Sequence, residues 1–167
     1  TEIGIPTTVR RTVAFSPAIY EGKAEVEGIE GVRCDSLEEM VIAVAERKIP
    51  VLEDPECQLA MEWRPDVVVD AIIAKKNLGT TIRDAKIVIG VGPGFTAGAD
   101  CHCVVETKRG HDLGRVLWKG SAVPNTGVPG MIGGYAKERI IRASGDGIFK
   151  GMCRIGDLVE KGRLGGM

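Results

Sequence analysis

Ile87-Val88-Ile89-Gly90-Val91-Gly92-Pro93-Gly94-Phe95-Thr96-Ala97-Gly98 is the stretch that decides the fold. Its first three residues are a continuous β-branched run, the pattern of a strand buried on both faces of a mainly parallel sheet. Four glycines then fall within the nine residues from Gly90 to Gly98. Glycine lets a backbone approach a ligand closely, and successive N–H groups in such a turn can cradle phosphate or carboxylate. No Gly-Lys-Ser/Thr follows, so the turn is not a P-loop. Gly92, Gly94 and Ala97 have the spacing of an alanine-ended dinucleotide fingerprint, but that motif opens a helix and the residues downstream here are strand-like. The competing reading is a glycine-rich crossover loop with no ligand.

Toward the amino terminus, Val67-Val68-Val69 is a second buried run and Ile49 to Leu52 a third, closed by Glu53-Asp54-Pro55. Ser36 and Glu39 have capping-box spacing, and Leu37, Met40, Val41 and Val44 recur at helical intervals, which predicts a helix over 36–47. Asp54 and Pro55 suit the N-cap and first residue of another helix that ends near Arg64-Pro65. Ligands of parallel sheets bind beyond the carboxyl ends of the strands. Three positions therefore stand out: Glu2, Asp70 with Lys75, Lys76 and Asn77 after it, and the Gly90 turn.

Toward the carboxyl terminus, 18 of the 23 glycines lie at or beyond residue 90. Cys103 to Thr107, Gly114 to Trp118 and Arg139 to Arg142 read as strands between turns such as Pro124-Asn125-Thr126-Gly127. Asp100 and Cys101-His102-Cys103 suggest zinc or copper(I) ligands, but a strand puts His102 on the face opposite the two thiols, so no metal site is assigned. Glu106-Thr107-Lys108-Arg109-Gly110-His111-Asp112 gathers acid, hydroxyl, base and imidazole, enough for acid–base chemistry or for holding an anionic ligand. Its alternative is a solvated hairpin tip.

The 167 residues carry a net charge of -1 and 44% hydrophobic content, enough for one core and a small second one. No basic stripe points to nucleic acid, and no apolar run reaches membrane-spanning length. Five cysteines, an odd number, argue for reduced thiols and a cytoplasmic protein. The first residue is Thr1 rather than methionine and the last are Gly165-Gly166-Met167, so the sequence reads as part of something longer.

Pro65 to Lys75, Ile89 to Gly98, and Val104 to Thr107 with Arg109-Gly110-His111 together resemble the YqeB-type accessory proteins of the selenium-dependent molybdenum hydroxylase system. Val9 to Phe15 and Pro124 to Gly130 extend the resemblance over nearly the whole chain. It implies a role in making or loading the molybdenum enzyme. It also implies a preceding strand and glycine-rich turn, with Thr1-Glu2-Ile3 ending the next strand and Glu2 as the ribose-contacting acid. Residues 139–167 resemble half of a biotinyl/lipoyl-like β module, without a Met-Lys-Met carrier motif. The family has apolar residues where Cys101 and Cys103 stand and keeps the histidine between them.

The expected fold is α/β: a partial Rossmann-like, mainly parallel sheet over 1–90, a glycine-rich β region over 91–138, and part of a biotinyl/lipoyl-like module over 139–167. The expected function is maturation of a selenium-dependent molybdenum hydroxylase. A molybdopterin-type cofactor or a nucleotide would bind through Asp70, Lys75, Asn77, Gly92, Gly94, Phe95, Thr96, Asp100, His102, Glu106, Arg109 and His111. No catalytic residue is assigned. An NAD(P)-dependent oxidoreductase and a non-catalytic scaffold that docks the hydroxylase or its maturation machinery are the alternatives. Homo-oligomer formation stays open.

Overall fold

The computed structural model describes residues 1–8, 10–154 and 156–166. Val9, which begins one family-like run, and Ile155 and Met167, in the expected closing module, lie outside the described residues. The chain divides into two compact units, Thr1–Asn125 and Thr126–Met167.

The first unit is mixed α/β. A one-turn helix α1 (Ala18–Glu21) leads into the hairpin β1 (Lys23–Val26) and β2 (Ile29–Cys34). Helix α2 (Leu37–Ala45) and strand β3 (Ile49–Leu52) follow, with β3 parallel to β2. Sequence periodicity does not mark this hairpin, although Glu27-Gly28 is its signature. Both residues have positive φ (52° and 79°), the two-residue turn whose twist matches the strands it joins.

Both faces of this three-stranded sheet are covered. Ala18, Ile19 and Val51 pack with Phe15 and Ala24 on one side, and Cys34, Met40, Ala43 and Leu52 pack with Leu37 and Leu59 on the other. Phe15 lies on Gly31, where a Cβ would come within 2.6 Å of its ring. Ser36 caps α2 as expected, accepting from the Glu39 N–H at 3.2 Å. The reciprocal bond of the box reaches one residue further back, from the Asp35 N–H to Glu39 Oε2 at 2.8 Å. The core-facing stripe of α2 is the partly buried Leu37 with the buried Met40 and Ala43, whereas Val41 and Val44 are exposed. A stripe at i, i+3 and i+6 is narrower than the sequence periodicity implied.

The second helix begins later than Asp54-Pro55 predicts: α3 spans Gln58–Glu62. Asp54 still caps it from one turn upstream, its two carboxylate oxygens accepting from the N–H groups of Gln58 and Ala60 at 2.8 and 3.0 Å.

The predicted runs at 67–69 and 87–89 become β4 (Val67–Asp70) and β5 (Ile87–Val91), which pair in parallel. Strand β6 (Cys103–Val105) is parallel to β5, and β7 (Val116–Leu117) closes the edge antiparallel. This sheet, ordered β4-β5-β6-β7, is separate from the β1-β2-β3 sheet, so the expected single, mainly parallel sheet is two mixed ones. One face carries the core of Val88, Phe95, Ala97, Cys101, Val104 and Ala122. The opposite face is not buried as the β-branched runs predict: Val67, Val69 and Ile87 are 46%, 55% and 48% exposed. Neither the β4–β5 nor the β5–β6 connection contains a helix, the element that covers parallel sheets in βαβ units.

The expected boundary at 90/91 falls inside β5, and the compact units divide at 125/126. In the second unit a 3-10 turn at Lys137–Arg139 occupies the start of the strand predicted at 139–142. Among the described residues no strand follows β7; the unit holds only isolated bridges, Ile132 with Tyr135 and Gly151 with Gly166. Arg139 pins one loop by donating to the carbonyls of Gly130 (2.6 Å) and Tyr135 (3.0 Å). No helix among the described residues is long and apolar enough to cross a membrane.

Candidate functional site

Because β4, β5 and β6 are adjacent and parallel, their carboxyl ends lie along one edge. That edge brings together the residues after Asp70, the glycine turn after Val91, and the run from Glu106. Two close approaches tie the three segments to each other. A Cβ on Gly94 (φ +118°) would sit 2.6 Å from the Lys76 Cα, and one on Gly92 (φ +86°) would sit 2.9 Å from Thr107 Oγ1.

The glycines therefore serve packing within the chain first. Gly90 accommodates Phe95, whose ring would lie 2.5 Å from a Cβ there and is 4% exposed, so Phe95 belongs to the core. Three backbone donors of the turn are also engaged: Gly92 N–H to the Val105 carbonyl, Ala97 N–H to the Gly120 carbonyl, and Thr96 N–H to the Asp100 carboxylate, at 2.7 to 2.8 Å. Thr96 Oγ1 lies 3.1 Å from Ser121 Oγ. The fingerprint-like spacing opens into β6 rather than a helix.

His102 has a defined structural task. Its N–H donates to the Val88 carbonyl at 2.8 Å, and its Nδ1 accepts from the Val88 N–H at 2.9 Å. The imidazole stands in for the strand carbonyl that β6, which begins at Cys103, does not supply. Both flanking thiols are buried, and burial pushes the Cys101 thiol up, against a smaller downward pull from the Gly90 backbone. A thiol held neutral is a poor metal ligand. Among the described residues no group of three or more His, Cys, Asp and Glu side chains converges. All five cysteines are free.

Asp70 is buried and accepts from Thr80 Oγ1 at 2.6 Å and from the Ile72 N–H at 3.2 Å. Asn77 braces the same loop, donating to the Thr80 carbonyl and accepting from the Gly79 N–H, both at 2.8 Å. Lys75 is exposed, with φ +65°. Asp70 and Asn77 hold the loop that presents the two lysines.

Glu106 is 4% exposed, and its two oxygens accept from the N–H groups of Lys108 (2.7 Å) and Val123 (2.8 Å). Burial pushes its carboxyl up, but the backbone donors of Val123, Lys108 and Thr107, with the Lys108 charge, outweigh this and leave it below the ordinary carboxylate range. Glu106 is an ionised clamp rather than a proton acceptor poised near neutrality. It forms the floor of a depression of about 230 Å³ lined also by Lys108, Arg109, Gly110, His111, Asp112 and Val123. Asp112 pairs with Arg115 at 3.2 Å. Lys108, Arg109 and His111 are exposed and, among the described residues, their side chains have no hydrogen-bond or ion-pair partner. Lys108 stands in the sequence cluster at 106–112 but not among its named ligand donors, and Val123 could not be found there, because its link to Glu106 spans 17 residues.

Glu2 belongs elsewhere. It bridges Glu53 beside β3, its N–H donating to the Leu52 carbonyl at 2.8 Å and its own carbonyl accepting from the Asp54 N–H at 2.9 Å. It extends the first sheet, whereas the glycine turn is on the second, so the two do not share a strand edge.

No family model matches the chain, and no solved structure matches it. Over 161 residues, 96% of its length, the chain is 48% identical to "Uncharacterized protein YqeB" of Escherichia coli strain K12. It spans 30% of the length of that relative. With this identity across almost all of its residues, the chain belongs to the YqeB family.

Proposed function

We propose that the protein is a maturation factor for a selenium-dependent molybdenum hydroxylase and that it binds a phosphate-bearing cofactor or nucleotide at the carboxyl edge of β4, β5 and β6. The observation that carries the chemical part is the basic rim of that edge, where Arg109 and His111 have no hydrogen-bond or ion-pair partner among the described residues and Lys108 has only the through-space attraction of Glu106. Lys108, Arg109 and His111 line a depression in the run that follows β6, while the acids of the edge are engaged, Asp70 by Thr80, Glu106 by backbone donors and Asp112 by Arg115. The resemblance to the accessory proteins of that hydroxylase system supports the biological part. A molybdopterin-type cofactor and a nucleotide both carry the phosphate this rim would hold. The Rossmann-like and biotinyl/lipoyl-like parts of the fold remain part of the proposal for the whole protein.

Thermal-shift titration of the intact protein with ATP, NADP and adenosine tests the reading. Stabilisation by a phosphate-bearing compound and none by adenosine is expected. No response to either phosphate compound would count against it.

A second reading, a docking scaffold for the hydroxylase, is favoured by the exposed apolar face at Val67, Val69 and Ile87 and by the outer side of α2 at Val41, Ile42 and Val44. Co-purification of the hydroxylase that survives Arg109→Ala with His111→Ala, and is lost on Val69→Lys, would favour it. The oxidoreductase alternative has less support, since the turn opens no helix.

A further inference from the structure

We propose that the depression floored by Glu106 is a subsite for one terminal phosphate group, gripped by the side chains of Lys108, Arg109 and His111 and not by the amides of the glycine turn. This rests on the phosphate-bearing ligand proposed above and assigns the atoms that hold it.

Size is the first argument. About 230 Å³ is below the roughly 300–1,000 Å³ of pockets that enclose whole drug-sized ligands, so a phosphate fits inside while the rest of the molecule lies along the edge. Charge is the second. Asp112 is balanced by Arg115, so Lys108 and Arg109 leave the depression net cationic even with Glu106 ionised. The Arg109 fork suits two phosphate oxygens, and Lys108 contributes a mobile point charge.

Preorganisation is the third. Glu106 holds the Lys108 N–H with one oxygen and the Val123 N–H with the other, while its backbone carbonyl accepts from the Gly114 N–H at 2.9 Å. Both ends of the basic loop are thus fixed before a ligand arrives, which reduces the ordering cost of binding. The glycine turn is differently placed: its Gly92, Thr96 and Ala97 N–H groups already have acceptors in the chain.

Amide-resolved NMR of the intact protein titrated with inorganic phosphate tests the assignment. Saturable shifts at Lys108, Arg109, Gly110 and His111 are expected. The Lys108→Ala/Arg109→Ala variant should bind at least tenfold more weakly, while Arg83→Ala, on the turn leading into the amino end of β5, should bind as the parent does. The spectra themselves report whether each variant is folded. Shifts centred on Gly92 to Thr96, or unchanged affinity in the double variant, would overturn the assignment. If ATP still stabilises the protein while phosphate leaves 108–111 unmoved, the subsite fails and the ligand reading stands; if neither acts, both fail.

Discussion

At the scale of single residues, the polar side chains of the candidate edge do two different jobs, and their partners separate them. His102 and Glu106 each complete backbone hydrogen bonding across a gap in a ladder or loop. Val88 is fully buried, so His102→Ala leaves its N–H without an acceptor and should cost about 1–3 kcal/mol in chemical denaturation, with His102→Gln recovering part of the loss through its amide oxygen. Glu106 has a depressed carboxyl, so its stabilisation is complete above the unfolded value of about 4.3 and is lost as pH falls through the lower folded value. Glu106→Gln should therefore be less stable than the parent at neutral pH and lose less stability between neutrality and acid. An equal pH slope in both proteins would show that the carboxylate is not the acid-sensitive clamp. Sequence spacing picked out both residues as ligand donors because their partners, 14 and 17 positions away, are invisible to a local pattern.

At the scale of elements, β3, β4, β5 and β6 were legible because short β-branched or apolar runs bounded by turn residues have few other uses. The hairpin at 23–34 was missed: its alternation is short and half polar, and only Glu27-Gly28 marks it. The separation into two sheets was illegible for a different reason, since strand pairing is non-local and the helix-free crossovers around β5 break the usual βαβ expectation. The glycine turn combines both lessons. Its flexibility was read as room for a ligand, whereas Gly90, Gly92 and Gly94 make room for Phe95, Thr107 and Lys76. Gly94→Ala should cost about 1–3 kcal/mol from its backbone conformation, plus the displacement of the Lys76 backbone. Gly98→Ala shares the positive φ but meets nothing within 4 Å, so it should be the milder of the two. Equal costs would mean that the 75–77 loop does not pack on the turn.

At the scale of the whole chain, the first sheet is covered on both faces and the second on one, an asymmetry that sequence periodicity could not express because Val67-Val68-Val69 and Ile87-Val88-Ile89 look buried all round. Val69→Lys on the exposed face should change stability by less than about 0.5 kcal/mol in this chain, and a larger loss would show that the face is packed. The candidate site is independent of that face. It depends on parallel order bringing three carboxyl ends to one edge, with acids engaged inside the chain and cations left for a ligand. Native mass spectrometry of the gently purified intact protein tests this most directly. The predicted result is a retained small molecule that carries phosphate and is lost in the Lys108→Ala/Arg109→Ala variant. A retained molecule without phosphate, or one held equally well by the variant, would contradict it.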